Sequence, residues 1–148
     1  MDQRIARIGV GVLVWREGKV ALIKRTGPFG PGTWAPPGGH LEFGELALDA
    51  ARRETREEIG VEIDNLEILG ITEDISEEYG THYITIWIQS DLVSGELKAS
   101  DVEFTESGFF DLSHPPGPLF IPFKNLLEGK LTPRRCGELT SGVPYHLL

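Results

Sequence analysis

The stretch GHLEFGELALDAARRETREEIGV, from Gly39 to Val61, decides how the rest of the chain is read. Leu48, Ala51, Thr55 and Ile59 recur at helical spacing, which predicts a helix over 45–59. Gly44 suits its start, Glu45 suits the positive N-terminal end, and Gly60 suits the C-terminal cap. On that helix Glu54, Glu57 and Glu58 stand at i, i+3 and i+4 and share one face. Like charges so placed cost about 0.2–0.5 kcal/mol per pair even when exposed. A shared divalent cation removes that cost, and a set of oxygen ligands selects Mg²⁺ or Mn²⁺ over zinc. The alternative is a solvated acidic helix face, the usual fate of carboxylates.

Working outward, Ile8 to Trp15 is a β-branched apolar run and reads as a buried strand. Glu17-Gly18-Lys19 is a turn, and Val20 to Lys24 a second strand, so the two predict a hairpin. Thr26 to Gly39 is rich in Gly and Pro and reads as a long, functional loop. Beyond the helix, 61–63 and 66–72 read as strands. Residues 82–92 form a stronger one, with Ile84, Ile86 and Ile88 on one face and Tyr83, Thr85 and Trp87 on the other. Gly108 to Leu112 is a short strand candidate, and Phe123 to Leu127 begins a short helix. The tail, 132–148, has no clear period. Mixed strands with two helices predict an α+β fold, a single domain over 1–148 arranged as an α/β/α sandwich.

Composition bounds the function. The chain has 148 residues, 14 Lys+Arg and 23 Asp+Glu, a net charge of −9. Ten acids and one base lie between Glu54 and Glu78, so that segment carries a charge equal to the whole net charge. This argues against a nucleic-acid polymer or a membrane surface as partner, since either would call for a basic patch. One cysteine, Cys136, cannot form an intrachain disulfide framework. Met1-Asp2-Gln3-Arg4 lacks a signal-peptide core, and no apolar run reaches about 18 residues. A cytoplasmic protein is the expectation.

The spacing carries more than the helix. Gly39 is followed by Glu45, then Arg53-Glu54, Glu57-Glu58 and Gly60-Val61. This resembles the Nudix box, G-x5-E-x7-R-E-U-x-E-E-x-G-U with U a bulky aliphatic. All specified Gly, Glu and Arg positions match. Thr55 departs at the first aliphatic slot; it is β-branched and is expected to pack inward with little effect on catalysis. Pro37 to Glu45 looks like the approach to the box in MutT-type members, with Pro36 where a leucine is common. His82-Tyr83-Ile84-Thr85 and Pro118-Leu119-Phe120 resemble segments of a subgroup acting on nucleoside triphosphates. The likeness covers roughly residues 8–128.

The resemblance implies a Nudix-type α/β/α sandwich around a central mixed sheet. It also implies hydrolysis of a nucleoside diphosphate linked to a variable group, with Mg²⁺ as cofactor and Mn²⁺ able to substitute. By motif position Glu54, Glu57 and Glu58 are metal ligands, with the carbonyl of Gly39 a further one. Glu57 is favoured as the central catalytic ligand, although the residue that serves as base differs within the family. Arg53 is expected to orient a box glutamate, and Glu45 to act structurally. Glu103 resembles an auxiliary acid of some members; the alternative is an exposed loop acid. Lys24 and Arg25 are candidates to neutralise substrate phosphates, against a reading as edge-strand charges. His40 either faces substrate or makes a structural hydrogen bond. Tyr83, Trp87 and Phe120 either stack on a base or belong to the core.

The leading expectation is a nucleoside-triphosphate pyrophosphatase that releases a monophosphate and pyrophosphate. Oxidised or modified purine deoxynucleotides would make it a pool-sanitising enzyme. The rival is a diphosphatase of ADP-ribose, NADH or a nucleotide sugar. A non-catalytic nucleotide-sensing domain is less favoured, because such domains commonly lose box residues and every proposed metal glutamate is present. The partner expected is a small nucleotide, and a homodimer is a candidate assembly because many relatives are dimers.

Overall fold

The computed structural model describes residues 4–98 and 104–132. In chain order the strands are β1 (Arg7–Arg16), β2 (Lys19–Arg25), β3 (Trp34–Ala35) and β4 (Gly38–His40). After helix α1 (Ala47–Ile59) come β5 (Glu62–Ser76), β6 (Thr81–Ser94), β7 (Phe104–Phe110) and helix α2 (Ile121–Leu127).

The hairpin of β1 and β2 pairs Trp15 with Val20 and Arg16 with Lys19. The strands then part. β1 pairs antiparallel with β4 through Gly9↔His40, Val10↔Gly39 and Gly11↔Gly38, and parallel with β6 from Arg7↔Tyr83 to Trp15↔Asp91. β2 turns instead to β3 and β7. β5 runs antiparallel along β6 and completes a seven-stranded mixed sheet, ordered β3-β2-β1-β6-β5 with β4 on β1 and β7 on β2.

Strand alternation sorts the core into two layers. Val10, Val12 and Val14 of β1 meet Ala50, Ala51 and Ile59 of α1, with Ala21, Ile23 and Ile88 beside them. Leu13 belongs to the opposite layer, with Val20, Leu22 and Trp87 and with Phe123 and Leu126 of α2. Each fully buried aliphatic or Phe side chain of this kind contributes about 1.5–3 kcal/mol, so the two apolar sheet faces hold the sandwich together. No helix of the described residues is long and apolar enough to cross a membrane.

Several boundaries differ from expectation. The loop expected over Thr26–Gly39 contains β3 and most of β4, because Trp34 and Ala35 pair with β2 and Gly38 and Gly39 pair with β1. A Cβ on Gly38 would lie 2.1 Å from the Val10 carbonyl oxygen, so glycine here permits close strand approach. The two strands expected at 61–63 and 66–72 are one strand, β5, with irregularities between Asp64 and Glu67 and between Ile68 and Gly70. Helix α1 starts at Ala47 with Leu46 as a cap that makes no side-chain bond; Gly60 ends it in the left-handed region at φ 70°. Leu48 is exposed, and the buried stripe is Ala50, Ala51, Glu54, Thr55 and Ile59. Strand β7 and helix α2 both begin earlier than expected, at Phe104 and Ile121. Glu103, Cys136 and the rest of the tail beyond residue 132 lie outside the described residues.

Gly11 is the tightest seam between β1 and β6. A Cβ there would sit 2.3 Å from the Trp87 ring. That ring is 2% exposed and its Nε1 donates to Thr72 Oγ1 at 2.9 Å in the interior, so it cannot swing aside without losing the bond. Gly11→Ala is expected to lower unfolding stability by about 1–3 kcal/mol through overpacking. Urea denaturation measures this, and an unchanged midpoint would contradict it.

Candidate active site

The box residues meet where α1 crosses β4. Thr55, in the aliphatic slot, is fully buried and donates its hydroxyl back to the Ala51 carbonyl at 2.9 Å. That turns the next face of the helix, with Glu54, Glu57 and Glu58, toward β4 and solvent. A Cβ on Gly39 would lie 2.4 Å from Glu54 Oε1, so this glycine lets the carboxylate rest against the strand. The Gly38 backbone N–H donates to Glu58 Oε2 at 2.8 Å. Helix and strand are thus joined by two of the three glutamates.

Arg53 gathers the rest. Its Nε donates to Glu45 Oε1 at 2.7 Å and its Nη2 to Glu45 Oε2 at 3.0 Å, a bidentate fork. Nη1 donates to Glu54 Oε1 at 2.8 Å and to Glu57 Oε2 at 3.2 Å, while Nη2 also reaches the His40 carbonyl at 3.2 Å. The environments differ: the Glu54 side chain is 11% exposed and that of Glu57 60%. Burial raises the Glu54 carboxyl above its ordinary value, with Arg53 pulling it partly back. Hydrogen bonds from Arg53 hold Glu45 below the usual carboxylate range. The same contacts, led by Glu45, hold the Arg53 guanidinium above its ordinary value.

This arrangement tests whether a metal fits. Among the described residues no group of three His, Cys, Asp or Glu side chains stands placed to hold a metal ion. Glu54 and Glu57 share an arginine instead, and Glu58 is turned to Gly38. The donors are all carboxylate or backbone oxygens, the chemistry that a hard divalent cation takes. Glu57 makes an exposed contact with Arg53, so it can turn to a cation at little cost. The chemistry of the donors fits a hard cation, which Glu57 and Glu58 would meet by turning from Arg53 and Gly38.

Residues 6–128 match the profile of the NUDIX domain family. The chain belongs to the Nudix family. An ADP-ribose pyrophosphatase of Methanocaldococcus jannaschii is 36% identical over 110 residues, 74% of this chain and 64% of that protein. The NAD-capped RNA hydrolase NudC of Pseudomonas aeruginosa is 35% identical over 135 residues, 90% of this chain and 46% of that one. The chain therefore spans about half to two thirds of the length of these relatives. Among solved structures, a MutT NUDIX hydrolase from Burkholderia pseudomallei has a TM-score of 0.74 at 29% identity, covering 78% of this chain and 90% of its own. The seven-stranded mixed sheet between two helices is the Nudix fold.

The remaining candidates of this Nudix chain gather at one end of the sheet. The ends of β2, β4 and β5 and the starts of β1 and β6 all lie there, as the registers require. His40 and Tyr83 meet: His40 Nε2 and the Tyr83 hydroxyl are hydrogen-bonded at 2.9 Å, with the rings stacked at 5.6 Å and 19°. Lys24 is not an edge charge, because β2 pairs there with both Trp34 and Glu106. Its ammonium lies 3.6 Å from Glu106 and 6.0 Å from the centre of the Trp34 ring. The Arg25 guanidinium lies 4.1 Å over Phe120, and its Nε donates to the Phe29 carbonyl at 3.1 Å. Trp87 is core, buried over Gly11. Sequence reasoning missed the Gly38–Glu58 bond and the Phe29–Tyr79 contact. The first depends on where β4 lies, and the second joins loops 50 residues apart in the chain.

Replacing Arg53 tests the clamp. Arg53→Met keeps an apolar stem but leaves the Glu54 carboxylate without its cation in a largely buried place. A stability loss of about 1–3 kcal/mol is expected from the lost charge-assisted bonds. Urea unfolding at neutral pH without divalent cation measures it; wild-type stability would contradict the clamp.

Proposed function

We propose that the chain hydrolyses the diphosphate linkage of a nucleotide with a divalent cation, Mg²⁺ or Mn²⁺. The observation that carries this reading is the packing of Glu54 against Gly39, with Glu57 and Glu58 on the same helix face. Glu54, Glu57, Glu58 and the Gly39 carbonyl would hold the cation. When bound, it would supply a lowered pKa for water and screening of phosphate oxygens.

The chain's own groups have separable tasks. Arg53 holds Glu54 and Glu57 close together, while Glu45 fixes Arg53 from the far side. Glu58 locks β4 to α1 through Gly38. Glu57 is more exposed than Glu54 and can accept a proton from an attacking water. The water oxygen bonds to phosphorus as the bridging P–O bond breaks, giving two phosphorylated products. His40 and Tyr83 form a joined pair next to this cluster, suited to orient the substrate. Lys24 and Arg25 stand at the same end and would add positive charge for phosphates.

Two substrate readings share this site. The His82–Thr85 and Pro118–Phe120 segments favour a nucleoside triphosphate, cleaved to a monophosphate and pyrophosphate; modified purines would make the role pool sanitation. The names of the relatives, an ADP-ribose pyrophosphatase and an NAD-capped RNA hydrolase, favour a nucleotide linked through its diphosphate to a second group. Mass analysis of the products separates them, since only the triphosphate releases pyrophosphate. The panel is canonical and oxidised nucleoside triphosphates, ADP-ribose, NADH, dihydroneopterin triphosphate and NAD-capped RNA, each with Mg²⁺. Turnover of at least one is expected; turnover of none would overturn the reading.

Glu57→Gln is nearly isosteric and should keep the thermal midpoint of the wild type. It is expected to lower kcat on the best substrate by about 10²-fold or more, the scale of a lost general base. Normal turnover would remove Glu57 from the mechanism.

A further inference from the structure

One face of the sheet is covered only in part. Helix α1 packs on Val10 and Val12 of β1 and on Ile88 of β6. Strand alternation puts Ile8 of β1, Ile84 of β6 and Ile75 of β5 on that same face. The registers bring them together: Ile8 pairs with Ile84, Ile84 with Glu73, and Ile71 with Ile86. Yet Ile8 stays 46% exposed and Ile75 72%, with Ile71 and Ile84 half-buried. A sheet face left to water normally reads polar. Here three neighbouring strands each turn an isoleucine outward, a contiguous patch of the kind that marks an interaction site.

The chain itself arrives at this patch. After α2, Leu131 packs into the opposite layer, with Phe123 and Leu126. Thr132 then exchanges both backbone hydrogen bonds with Ile71, each at 2.9 Å, in an antiparallel bridge on the outer edge of β5. Gly70 permits this approach, since a Cβ there would lie 2.7 Å from the Thr132 carbonyl oxygen. Cross-strand partners share a face, so Thr132 stands on the isoleucine side of the edge. Sixteen residues, 133–148, follow it in the sequence. Fully extended they span about 50 Å, whereas β5, β6 and β1 together lie about 10 Å across.

We propose that residues 133–148 fold back over the isoleucine patch and cover it. Arg134 and Arg135 directly follow the bridge. They leave beside β5 and its turn, 62–78, which carry seven acids and no base, with Glu73 among the isoleucines. Opposite charge at the point of departure draws the segment along this edge. From residue 139 onward there is no acid, lysine or arginine, and Leu139, Val143, Tyr145, Leu147 and Leu148 supply apolar surface. An open isoleucine face and such a segment both gain by leaving water. The tether at Ile71 favours this occupant over a second copy of the chain, because a segment already joined at the patch has a high effective concentration there. The inference stands apart from the hydrolase reading.

Isoleucine-methyl NMR on the full chain tests it. Nuclear Overhauser contacts are expected from the Ile8, Ile75 and Ile84 methyls to the Tyr145 ring and to the Leu147 and Leu148 methyls, all within one chain. The double substitution Leu147→Ser, Leu148→Ser alters no residue of the sheet and should at least halve the Tyr145 contacts. Removal of 133–148 should shift the three patch methyls and leave those of Ile23 and Ile59, buried under α1, in place. If that shortened chain fails to fold, the contacts in the full chain still decide. Absence of any contact between 133–148 and the three patch isoleucines overturns the proposal. So do contacts that run only between chains in a mixture of two differently labelled samples, since the occupant is then a second copy.

Discussion

Arg53 is the point on which the site depends. A single guanidinium bonds Glu45, Glu54 and Glu57 and also the carbonyl of His40, so it joins the approach to α1, the helix face and the end of β4. Lysine could not replace it, because the contacts need a planar fork with donors in several directions. Without this charge, Glu54 would be a carboxylate pressed against Gly39 with burial opposing its ionisation. The acidic helix face is therefore stabilised by one residue of its own helix, leaving Glu57 on the solvent side.

The sheet supplies the second constraint. β1 leaves β2 after two pairs and takes β4 as its new neighbour, which delivers Gly38 and Gly39 to the carboxylates. Close approach is what the glycines provide here: side chains at 38 or 39 would strike the Val10 carbonyl or Glu54. The parallel pairing of β1 with β6 then puts Tyr83 at the same end, where it meets His40. Packing on both faces holds these strands, so the position of the site follows from the two core layers.

Much of this was legible because it is periodic or spaced. The i, i+3, i+4 glutamates and the glycines around them carry the helix, its carboxylate face and the family resemblance in their spacing alone. The strands with strong apolar runs, β1, β2 and β6, were also readable. What failed was local signal overridden by tertiary pairing. Trp34, Ala35 and Gly38 lie in a Gly/Pro-rich segment that looks like a loop, and only their partners on β1 and β2 make them strand. Asn65, at φ 53°, looks like a break between strands and is absorbed as an irregularity within β5. Leu48 fits the helical period yet is exposed, since the core side of α1 is set by Ala50 and Ala51, which let the helix come close to the sheet. The Lys24 backbone has partners on both sides, which no reading of β2 alone would reveal.

The acidic balance also takes on a different meaning. Among the carboxylates between Glu54 and Glu78, Glu54, Glu57 and Glu58 stand at the helix–strand crossing, while Glu62 and Asp64 pair with Arg56 and Arg52 at the surface. The first group is the candidate cation site, with Arg53 holding Glu54 and Glu57 and the Gly38 N–H holding Glu58. Mn²⁺ binding without nucleotide, followed by water-proton relaxation, tests it most directly. The wild type is expected to bind Mn²⁺ at a site that Mg²⁺ competes for and that Glu54→Gln weakens at least tenfold. Equal Mn²⁺ affinity in wild type and variant would contradict it.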